Sequence, residues 1–513
     1  MASNKPPLSC GFLYTDFYQL TMAQLYFKAG LATRPVQFDY FFRKYPDYGS
    51  HSAGYCIHAG MQWLLNWMDT ARCGEEEIQH LRVQKGRDGK PLFGNDFLHW
   101  LRDNGSFDGM SLQAIAEGRV VHPDVPLVVA RGPLAAAQLL ESSLLNHLNY
   151  QTLIATKAAR IKHAGAGRPV LEFGMRRASY LAANAGVRAA LIGGADFSSN
   201  AGISYELGFP PRGTHAHSMV QVFMALGEGE LGAFRAYAEL YPEDCLLLVD
   251  TINTLESGVP NAIVVFEELK RKGHTPYGIR LDSGDLAYLS IKSAKMLNDA
   301  GFEDVNIILS NKLDEMVLLQ IISQIREDSS KSGVDPDHLI NRLMYGVGTR
   351  LITSKGQGSL DGVYKLVAVK DGNSWRPAYK ISETPSKTLN PGSKKVWRIY
   401  DSEGKATADL VGLAHENPEK MDPVILQHPA QSATRRVLKK EAVSKIEPLL
   451  EDVLLDGKRV GESSSIPLLR NRVAKDLSHL NSGVKRIVNP HRYHVSLTEE
   501  LFSLKMDLVN SVR

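Results

Sequence analysis

The chain has 513 residues, of which 43% are hydrophobic and 22% are charged, values typical of a globular protein with two or three domains. Its 59 basic and 56 acidic residues give a net charge of +3 without basic clusters, which argues against nucleic acid as a partner. Residues 1–10 contain no apolar stretch, so we expect no secretory signal. No run of about 18 apolar residues occurs, and the four cysteines show no redox or disulfide spacing. We therefore expect a cytoplasmic protein with no membrane partner.

Residues 1–131 have the pattern of an N-terminal α+β domain. Thr15 or Asp16 is suited to cap a helix that ends near Lys28. The pattern then predicts a strand at 36–42, helices across most of 55–110 and two short strands within 118–129. Residues 132–169 are predicted to contain two connecting helices, at 134–149 and 153–163.

From 170 to 370 short apolar runs alternate with amphipathic helical stretches, and polar groups follow most of the runs. This rhythm is typical of a parallel α/β structure, because strands buried on both faces are continuously apolar. Polar side chains at the carboxyl ends of such strands favour an α/β barrel, and no GxGxxG sequence supports an open doubly wound sheet. The apolar runs lie at 170–174, 189–192, 245–249, 277–279, 305–309 and 343–347.

Residues 371–513 are predicted to form a basic loop, at 371–395, and a C-terminal extension that packs back on the N-terminal domain. The loop contains lysine, serine, threonine, proline and glycine in high proportion, and the extension is predicted to end in a helix at 496–511. Whether this loop closes on a site is left open by the sequence.

The segment 211–218 carries two imidazoles, two hydroxyls and one guanidinium within eight residues. It is compatible with a polar loop whose histidines are solvated. It is also compatible with a metal pair, because His215 and His217 alternate along an extended backbone. A third interpretation is a catalytic segment, in which His217 accepts a proton or a phosphoryl group.

Other chemical groups follow the predicted strands. Gly348 and Thr349 form a short glycine turn whose backbone N–H groups could approach a phosphate. Asp282 and Ser283 follow another strand, and carboxylates there could orient sugar hydroxyls or hold Mg²⁺ through water. Arginine side chains can bind a carboxylate or a phosphate through two parallel hydrogen bonds. Each arginine could instead form an ion pair that connects two neighbouring loops. Together these groups favour a phosphorylated sugar and an anionic partner, and the arginines concerned are Arg176, Arg177 and Arg280.

The chain resembles the nicotinate phosphoribosyltransferases, a family of type II phosphoribosyltransferases. The similar motifs occur in the family's order along nearly the whole chain. They lie at residues 15–22, 132–133, 153–160, 172–177, 193–200, 213–218, 280–285, 346–349, 391–394 and 489–495. The resemblance implies an irregular α/β barrel joined to an N-terminal α+β domain and a C-terminal extension, in a homodimer with a shared active site.

The resemblance also implies a reaction. Members make nicotinate mononucleotide and pyrophosphate from nicotinate and 5-phosphoribosyl 1-pyrophosphate, in NAD biosynthesis by salvage. They couple this to ATP hydrolysis and use Mg²⁺. We expect Mg²⁺ to be bound mainly through the pyrophosphate group of the substrate, so no metal ligand is assigned.

By resemblance, His217 is the histidine that ATP phosphorylates. Tyr18, Thr214 and Arg280 match positions that contact nicotinate, and Thr349 matches one that binds the phosphoribosyl pyrophosphate. Further expected substrate-binding residues are Arg176, Arg177, Asp282, Ser283 and Gly348. His215 stands where the family pattern has an apolar residue, and we expect it to face solvent.

Three alternatives are distinguishable by experiment. A nicotinamide phosphoribosyltransferase shares the fold and the phosphohistidine and differs in the pyridine consumed. A non-catalytic relative that senses the nucleotide would bind it without releasing pyrophosphate. A phosphate-binding barrel isomerase or lyase would show no ATP dependence.

Overall fold

A computed structural model of the chain describes residues 7–380 and 389–511. The chain forms two compact units, one built from Met1–Leu153 together with Ser359–Arg513 and the other from Ile154–Gly358. The domain borders drawn from the sequence after residues 131, 169 and 370 stay a prediction. Across the described residues, no helix has both the length and the apolar character needed to cross a bilayer.

The first unit begins with helix α1, whose bounds agree with the sequence prediction. Asp16 occupies the N-cap position with extended backbone, and Gly30 adopts a φ of +70° just after the helix. The elements of the N-terminal segment are α1 (Phe17–Lys28), β1 (Pro35–Phe42), β2 (Cys56–Ile57), α2 (Met61–Thr70), α3 (Glu75–Arg82), α4 (Asn95–Asn104), β3 (Ser111–Ile115), β4 (Val120–Val121), β5 (Val128–Pro133), α5 (Leu134–Leu139) and α6 (Glu141–Ala164).

The predicted division of the connecting helices was wrong. The helical path is interrupted at Leu140, and α6 then runs without a break through the interval 150–152 where two helices had been separated. No glycine or proline occurs between Leu140 and Ala164, so the sequence contains no residue that ends a helix there. Helix α6 contains the border between the two units.

The second unit contains six strands separated by helices. Its elements are β6 (Val170–Glu172), α7 (Tyr180–Gly193), β7 (Phe197–Ser198), α8 (Ala201–Glu206), α9 (His217–Ala225), α10 (Gly229–Leu240), β8 (Leu246–Leu248), α11 (Val259–Arg271), β9 (Gly278–Leu281), α12 (Leu286–Asp299), β10 (Asn306–Ser310), α13 (Glu315–Asp328), α14 (Pro336–Arg342), β11 (Leu343–Val347) and α15 (Thr349–Ile352). One 3₁₀ turn, Met175–Arg177, follows β6.

These six strands form one parallel sheet in the order β7-β6-β11-β10-β9-β8. Strands that are consecutive in the chain are neighbours in this sheet, and β11 returns to pair with β6. The exception is the pair β7 and β8, which are the two edges. The sheet is therefore an α/β barrel that is open between β7 and β8, and its side chains form an apolar cluster of Leu171, Leu246, Ile308 and Met344.

One predicted strand was wrong. The apolar run 189–192 belongs to α7, and the strand of this region is the shorter β7, five residues further on. A continuous apolar run fits a buried helix as well as a buried strand, and all four residues are buried here. Gly194 ends this helix with a φ of +116°, so the Gly193–Gly194 pair is a helix terminus.

The C-terminal segment returns to the first unit and is mainly antiparallel. Its elements are β12 (Gly362–Asp371), β13 (Ser374–Pro377), β14 (Lys394–Asp401), β15 (Ala406–Leu413), β16 (Val424–Gln427), β17 (Arg435–Leu438), β18 (Val443–Pro448), β19 (Leu450–Leu455), β20 (Lys458–Arg459), α16 (Ile466–His479), α17 (Ser482–Lys485), β21 (His494–Leu497) and α18 (Glu499–Asn510).

Two large sheets organise the first unit. The seven-stranded sheet β13-β12-β1-β5-β3-β19-β20 joins strands from both ends of the chain, and Phe38 stacks on Tyr364 across β1 and β12 with 4.7 Å between ring centroids. A six-stranded sheet has the order β17-β16-β21-β15-β14-β18. The start of the predicted basic loop forms the β12–β13 hairpin, and residues 381–388 of that loop lie outside the described residues.

Candidate functional site

The segment 211–218 connects the two edges of the open barrel. The backbone N–H of Arg212 donates to the carbonyl of Ser198 in β7 at 2.9 Å. Four residues on from Pro211, the Nε2 atom of His215 accepts the backbone N–H of Leu248 in β8 at 3.0 Å. The segment therefore satisfies polar backbone groups on both edge strands, at the place where strand pairing is missing.

His215 does not face solvent, so that expectation was wrong. Its ring packs against Tyr237, with 5.1 Å between centroids, and burial lowers the pKa of the imidazole to about 4. Since Nε2 accepts a hydrogen bond, the proton of the neutral ring is on Nδ1, which lies 3.4 Å from the carbonyl of Ala216. Both nitrogens are engaged with protein groups, which leaves none for a metal ion shared with His217.

His217 is the first residue of α9 and presents its ring between polar groups from two strand ends. Its Nδ1 lies 3.1 Å from the hydroxyl of Thr251. Its Nε2 lies 3.9 Å from Oδ1 of Asp250 and 4.0 Å from Oδ2 of Asp282. The side chain is 39% exposed, so a ligand can reach the ring while both nitrogens face oriented partners.

Asp250 was not assigned a role from the sequence, although it directly follows the apolar run of β8. Its side chain is only 2% exposed. Oδ2 accepts the backbone N–H of Asp282 at 3.1 Å and the hydroxyl of Ser283 at 2.5 Å, which joins the ends of β8 and β9. Oδ1 has no hydrogen-bond partner among the described residues and is the oxygen that faces His217. Its position at a strand end was the signal that could have identified it.

Arg280 in β9 is held by groups from three neighbouring segments. Its Nε donates to Ser310 of β10 at 2.9 Å, and its Nη1 donates to the Thr214 hydroxyl at 3.4 Å. Its Nη2 lies 3.2 Å from Asp282, and the guanidinium lies 5.3 Å from the ring centroid of Phe173. With a side chain 14% exposed, the guanidinium has a fixed orientation, as a bidentate anion receptor requires.

Gly346 and Gly348 have steric reasons to be glycine. A Cβ on Gly346 would lie 2.5 Å from the ring of Phe173, and one on Gly348 would lie 3.0 Å from the Phe173 carbonyl. Phe173 thus packs between the ends of β6 and β11. Gly348 precedes α15, and Thr349 is exposed at its start. The turn and Arg280 lie near the carboxyl ends of strands in the same sheet, since β11 pairs in parallel with β10 and β10 with β9.

Arg176 and Arg177 lie in the exposed 3₁₀ turn after β6. Neither side chain makes an ion pair or hydrogen bond with any residue in the described ranges, so both are available to an anion. The turn is braced by buried Glu172, whose carboxylate accepts the Ser198 hydroxyl at 2.8 Å and the backbone N–H of Gly174. Burial raises the pKa of Glu172, against the effect of these two hydrogen bonds.

Tyr18 belongs to the first unit, where it lies on α1 and is 49% exposed. Its hydroxyl donates to Glu141 at 3.3 Å. Burial and then the charge of Glu141 raise the pKa of the phenol to about 12, so the group stays neutral at ordinary pH.

The predicted residues of the second unit therefore divide into three groups. Thr214, His217, Arg280, Asp282 and Ser283 form one connected cluster, which the structure extends with Asp250, Thr251 and Ser310. Gly348 and Thr349 follow β11 in the same sheet, without a direct hydrogen bond to that cluster. Arg176 and Arg177 form the third group, in the exposed 3₁₀ turn after β6. No three His, Cys, Asp or Glu side chains in residues 7–380 and 389–511 are arranged as a metal site by themselves.

Comparison with known proteins assigns this architecture to a family. The family model for the nicotinate phosphoribosyltransferase N-terminal domain matches residues 13–149, and that for the C-terminal domain matches residues 393–505. The nicotinate phosphoribosyltransferase of Bacillus subtilis is 37% identical over 98% of this chain and 96% of its own length. The chain belongs to the nicotinate phosphoribosyltransferase family. The enzyme of that name from Caenorhabditis elegans is 32% identical, covering 96% of this chain and 92% of its own.

A solved structure extends the similarity to the fold of the family. The crystal structure of human nicotinic acid phosphoribosyltransferase superposes with a TM-score of 0.77 at 28% identity, covering 97% of this chain and 99% of that one. The fold is that of the type II phosphoribosyltransferases, with an irregular α/β barrel, an N-terminal α+β part and a C-terminal extension. The fold predicted from the sequence is thereby confirmed.

Proposed function

We propose that this protein synthesises nicotinate mononucleotide and pyrophosphate from nicotinate and 5-phosphoribosyl 1-pyrophosphate, coupled to ATP hydrolysis. The observation that carries the proposal is the cluster at the barrel strand ends, where His217 faces two carboxylates beside the fixed guanidinium of Arg280. Family membership supports the phosphoribosyl transfer, because relatives matched over 96% and 92% of their own lengths are named nicotinate phosphoribosyltransferase.

In the ATP half-reaction, an imidazole nitrogen of His217 attacks the γ-phosphorus of ATP. The N–P bond forms as the bond to the β–γ bridging oxygen breaks, and ADP leaves with that oxygen. The proton on the other ring nitrogen is stabilised by Asp250 or Asp282, which are the anions closest to Nε2. Water later cleaves the N–P bond and releases phosphate.

In the glycosyl transfer, the ring nitrogen of nicotinate attacks C1 of the ribose as the C–O bond to pyrophosphate breaks. The pyridine lone pair becomes the new C–N bond, so no proton has to move. We propose that Arg280 and Thr214 orient the nicotinate carboxylate. The contact of Tyr18 with the nicotinate ring stays a prediction from the resemblance. Positive charge develops at C1 in the transition state, so the leaving pyrophosphate must be stabilised by cations.

The phosphoribosyl pyrophosphate is assigned to the remaining predicted residues. Thr349 and the backbone of Gly348 are suited to its phosphate oxygens, and Ser283 and Asp282 to its hydroxyls. Arg176 and Arg177 are exposed cations one turn beyond β6, and either could bind an anionic substrate group.

The proposal includes Mg²⁺, which we expect to be bound mainly through the pyrophosphate group of the substrate. The residues present fit a hard cation, since Oδ1 of Asp250 is buried without a hydrogen bond from any residue that the structure describes, and Asp282 presents a second carboxylate nearby. When bound, Mg²⁺ would neutralise charge on the phosphate oxygens. We also propose a homodimer, which light scattering on the purified protein would test.

The decisive experiment incubates the protein with phosphoribosyl pyrophosphate and either nicotinate or nicotinamide, with and without ATP, and follows mononucleotide, pyrophosphate and phosphate. We expect nicotinate to be consumed, with a higher rate and stoichiometric phosphate release when ATP is present. Consumption of nicotinamide alone would instead assign the protein to the nicotinamide-using relatives. Nucleotide binding without pyrophosphate release would identify a sensor.

A further inference from the structure

A cavity of about 390 Å³ lies in the first unit, between one face of α16 and the strands β14 and β18. Its volume is within the range of small-molecule sites, roughly 300–1,000 Å³. The α16 residues that line it recur at intervals of three and four, from Leu468 to His479, so a single helical stripe forms that wall. The lining also includes Arg119, Tyr400, Gly404, Ser444, Lys445 and Glu447.

The two carboxylates of this cavity are already neutralised. Asp476 accepts from Arg119 Nε at 2.8 Å and from buried Arg398 at 3.1 Å. Glu447 accepts from Arg119 Nη2 at 2.8 Å and from the Tyr400 hydroxyl at 2.7 Å. Although burial acts to raise it, the hydrogen bonds from Arg119 and Tyr400 hold the pKa of Glu447 at about 2. Both carboxylates are therefore paired, and neither adds an uncompensated negative charge that would repel an incoming anion.

Three other cations line the cavity and retain donors. Toward the described residues, Arg472 donates only through Nη1, to the carbonyl of Glu117 at 2.8 Å. Lys475 is exposed, and its ammonium has no hydrogen bond or ion pair with any residue the structure describes. Lys445 makes one ion pair, with Glu447 at 3.1 Å, and 58% of its side chain is exposed. The lining thus has an excess of positive charge from two elements, α16 and β18.

The rest of the cavity is suited to an apolar body. The ring of Tyr400 is buried, and Lys445 lies 5.5 Å from its centroid. His479 packs edge-on against the same ring at 5.5 Å and is held through Nδ1 by the carbonyl of Gly404 at 2.8 Å. Leu468, with 49% of its surface exposed, adds an aliphatic contact at the rim.

We propose that this cavity binds a small organic phosphate, with the phosphate between Arg472, Lys475 and Lys445 and the organic part against Tyr400 and Leu468. Cations that come from two elements suit a tetrahedral dianion better than a planar monoanionic carboxylate. Inorganic phosphate alone would leave most of the cavity unfilled. No lining residue belongs to the candidate site of the second unit, so the inference is independent of the proposed function.

The test uses phenyl phosphate as the probe, titrated calorimetrically into the full chain. We expect saturable binding whose Kd increases about fivefold or more in Lys475→Glu and in Arg472→Gln, since each removes a charge-assisted contact. The matched control is Lys439→Glu, an exposed lysine outside the cavity that changes the net charge equally. Equal affinities in Lys475→Glu and Lys439→Glu would overturn the proposal.

Two further probes test the chemical class. Inorganic phosphate is expected to bind at least about tenfold more weakly than phenyl phosphate, because it lacks the part that contacts Tyr400 and Leu468. Benzoate is expected to bind more weakly than phenyl phosphate, because it is a planar monoanion. If inorganic phosphate bound as tightly as phenyl phosphate, the contact of the organic part with Tyr400 and Leu468 would be refuted. If benzoate bound as tightly as phenyl phosphate, the preference for phosphate would be refuted. Because Lys475 is exposed and makes no side-chain bond to the described residues, its replacement leaves the fold available for all three titrations.

Discussion

The Nε2 atom of His217 lies 3.9 Å from Oδ1 of Asp250, a buried carboxylate oxygen without a hydrogen-bond partner in the described residues. A buried anion with a free oxygen is costly unless a cation or donor approaches it. The histidine is the titratable group placed to do so, from a segment more than thirty residues earlier in the chain. This relationship gives the imidazole a defined electrostatic partner and leads to the first two predictions.

His217→Ala is expected to abolish ATP hydrolysis and the ATP-dependent gain in nucleotide synthesis, while slow ATP-independent synthesis remains. The reason is that the phosphoryl acceptor is removed and the groups proposed to bind nicotinate are not. Phosphate release and nucleotide formation, measured with and without ATP, check this. Full stimulation by ATP in the variant would falsify the role of His217.

Asp250→Asn is expected to slow ATP-dependent phosphate release about tenfold or more, because the charge that stabilises the ring proton is lost. An asparagine oxygen can still accept from the backbone of Asp282 and from Ser283, so the two strand ends stay joined. The matched control is Asp285→Asn, the same chemical change at the N-cap of α12, where asparagine is also a good cap. Similar rates in the two variants would contradict a role for Asp250.

Arg280→Ala is expected to weaken nicotinate binding by about 2–5 kcal/mol, the usual cost of truncating a buried charge pair. Arg280→Lys should recover only part of this, since an ammonium cannot reproduce the planar contacts to Ser310, Thr214 and Asp282. The KM for nicotinate and the ratio of activities on nicotinate and nicotinamide are the measurements. An unchanged KM for nicotinate would count against this assignment, and Arg271→Ala, an exposed arginine of α11, is the control.

His215→Leu is expected to make stability less dependent on pH. The folded-state pKa of about 4 lies below the unfolded value of 6.5, so the folded protein prefers the neutral ring. The corresponding stability is fully present above pH 6.5 and is lost as the pH falls from there towards 4. By linkage, the native chain should lose about 2 kcal/mol more than the variant between about pH 7.5 and pH 5.

At about pH 7.5 the same variant should be destabilised by about 1 kcal/mol, because the Leu248 N–H loses its acceptor. Denaturant midpoints at both pH values measure the two effects. His99→Leu, which removes an exposed histidine of α4, corrects for the loss of one titratable ring. Parallel pH profiles for native protein and His215→Leu would show that His215 is not held neutral by burial.

The local pattern of the sequence was sufficient to locate most strands of the barrel. The runs that became β8, β9, β10 and β11 were predicted because parallel strands buried on both faces are continuously apolar. Their carboxyl ends were also predicted to carry the polar groups, and Arg280, Asp282 and Ser283 do lie together there, in contact with Thr214 of the segment 211–218.

The pattern failed where two structures share one signal. The run 189–192 fits a strand or a buried helix, and packing around α7 decided for the helix. The helix predicted to end at residue 149 continues to Ala164, since helix length depends on the tertiary surface as well as on residue propensity.

For the segment 211–218, the sequence by itself determined a dense set of chemical groups and left three interpretations open. The tertiary structure determined where the segment lies. The barrel is open between β7 and β8, and the segment forms hydrogen bonds with the backbone of both edge strands. That placement engages both nitrogens of His215 and presents His217 to Asp250 and Asp282. The position of the segment depends on which strand edges remain unpaired. Residues far apart in the chain determine those edges together, so a local sequence pattern does not reveal them.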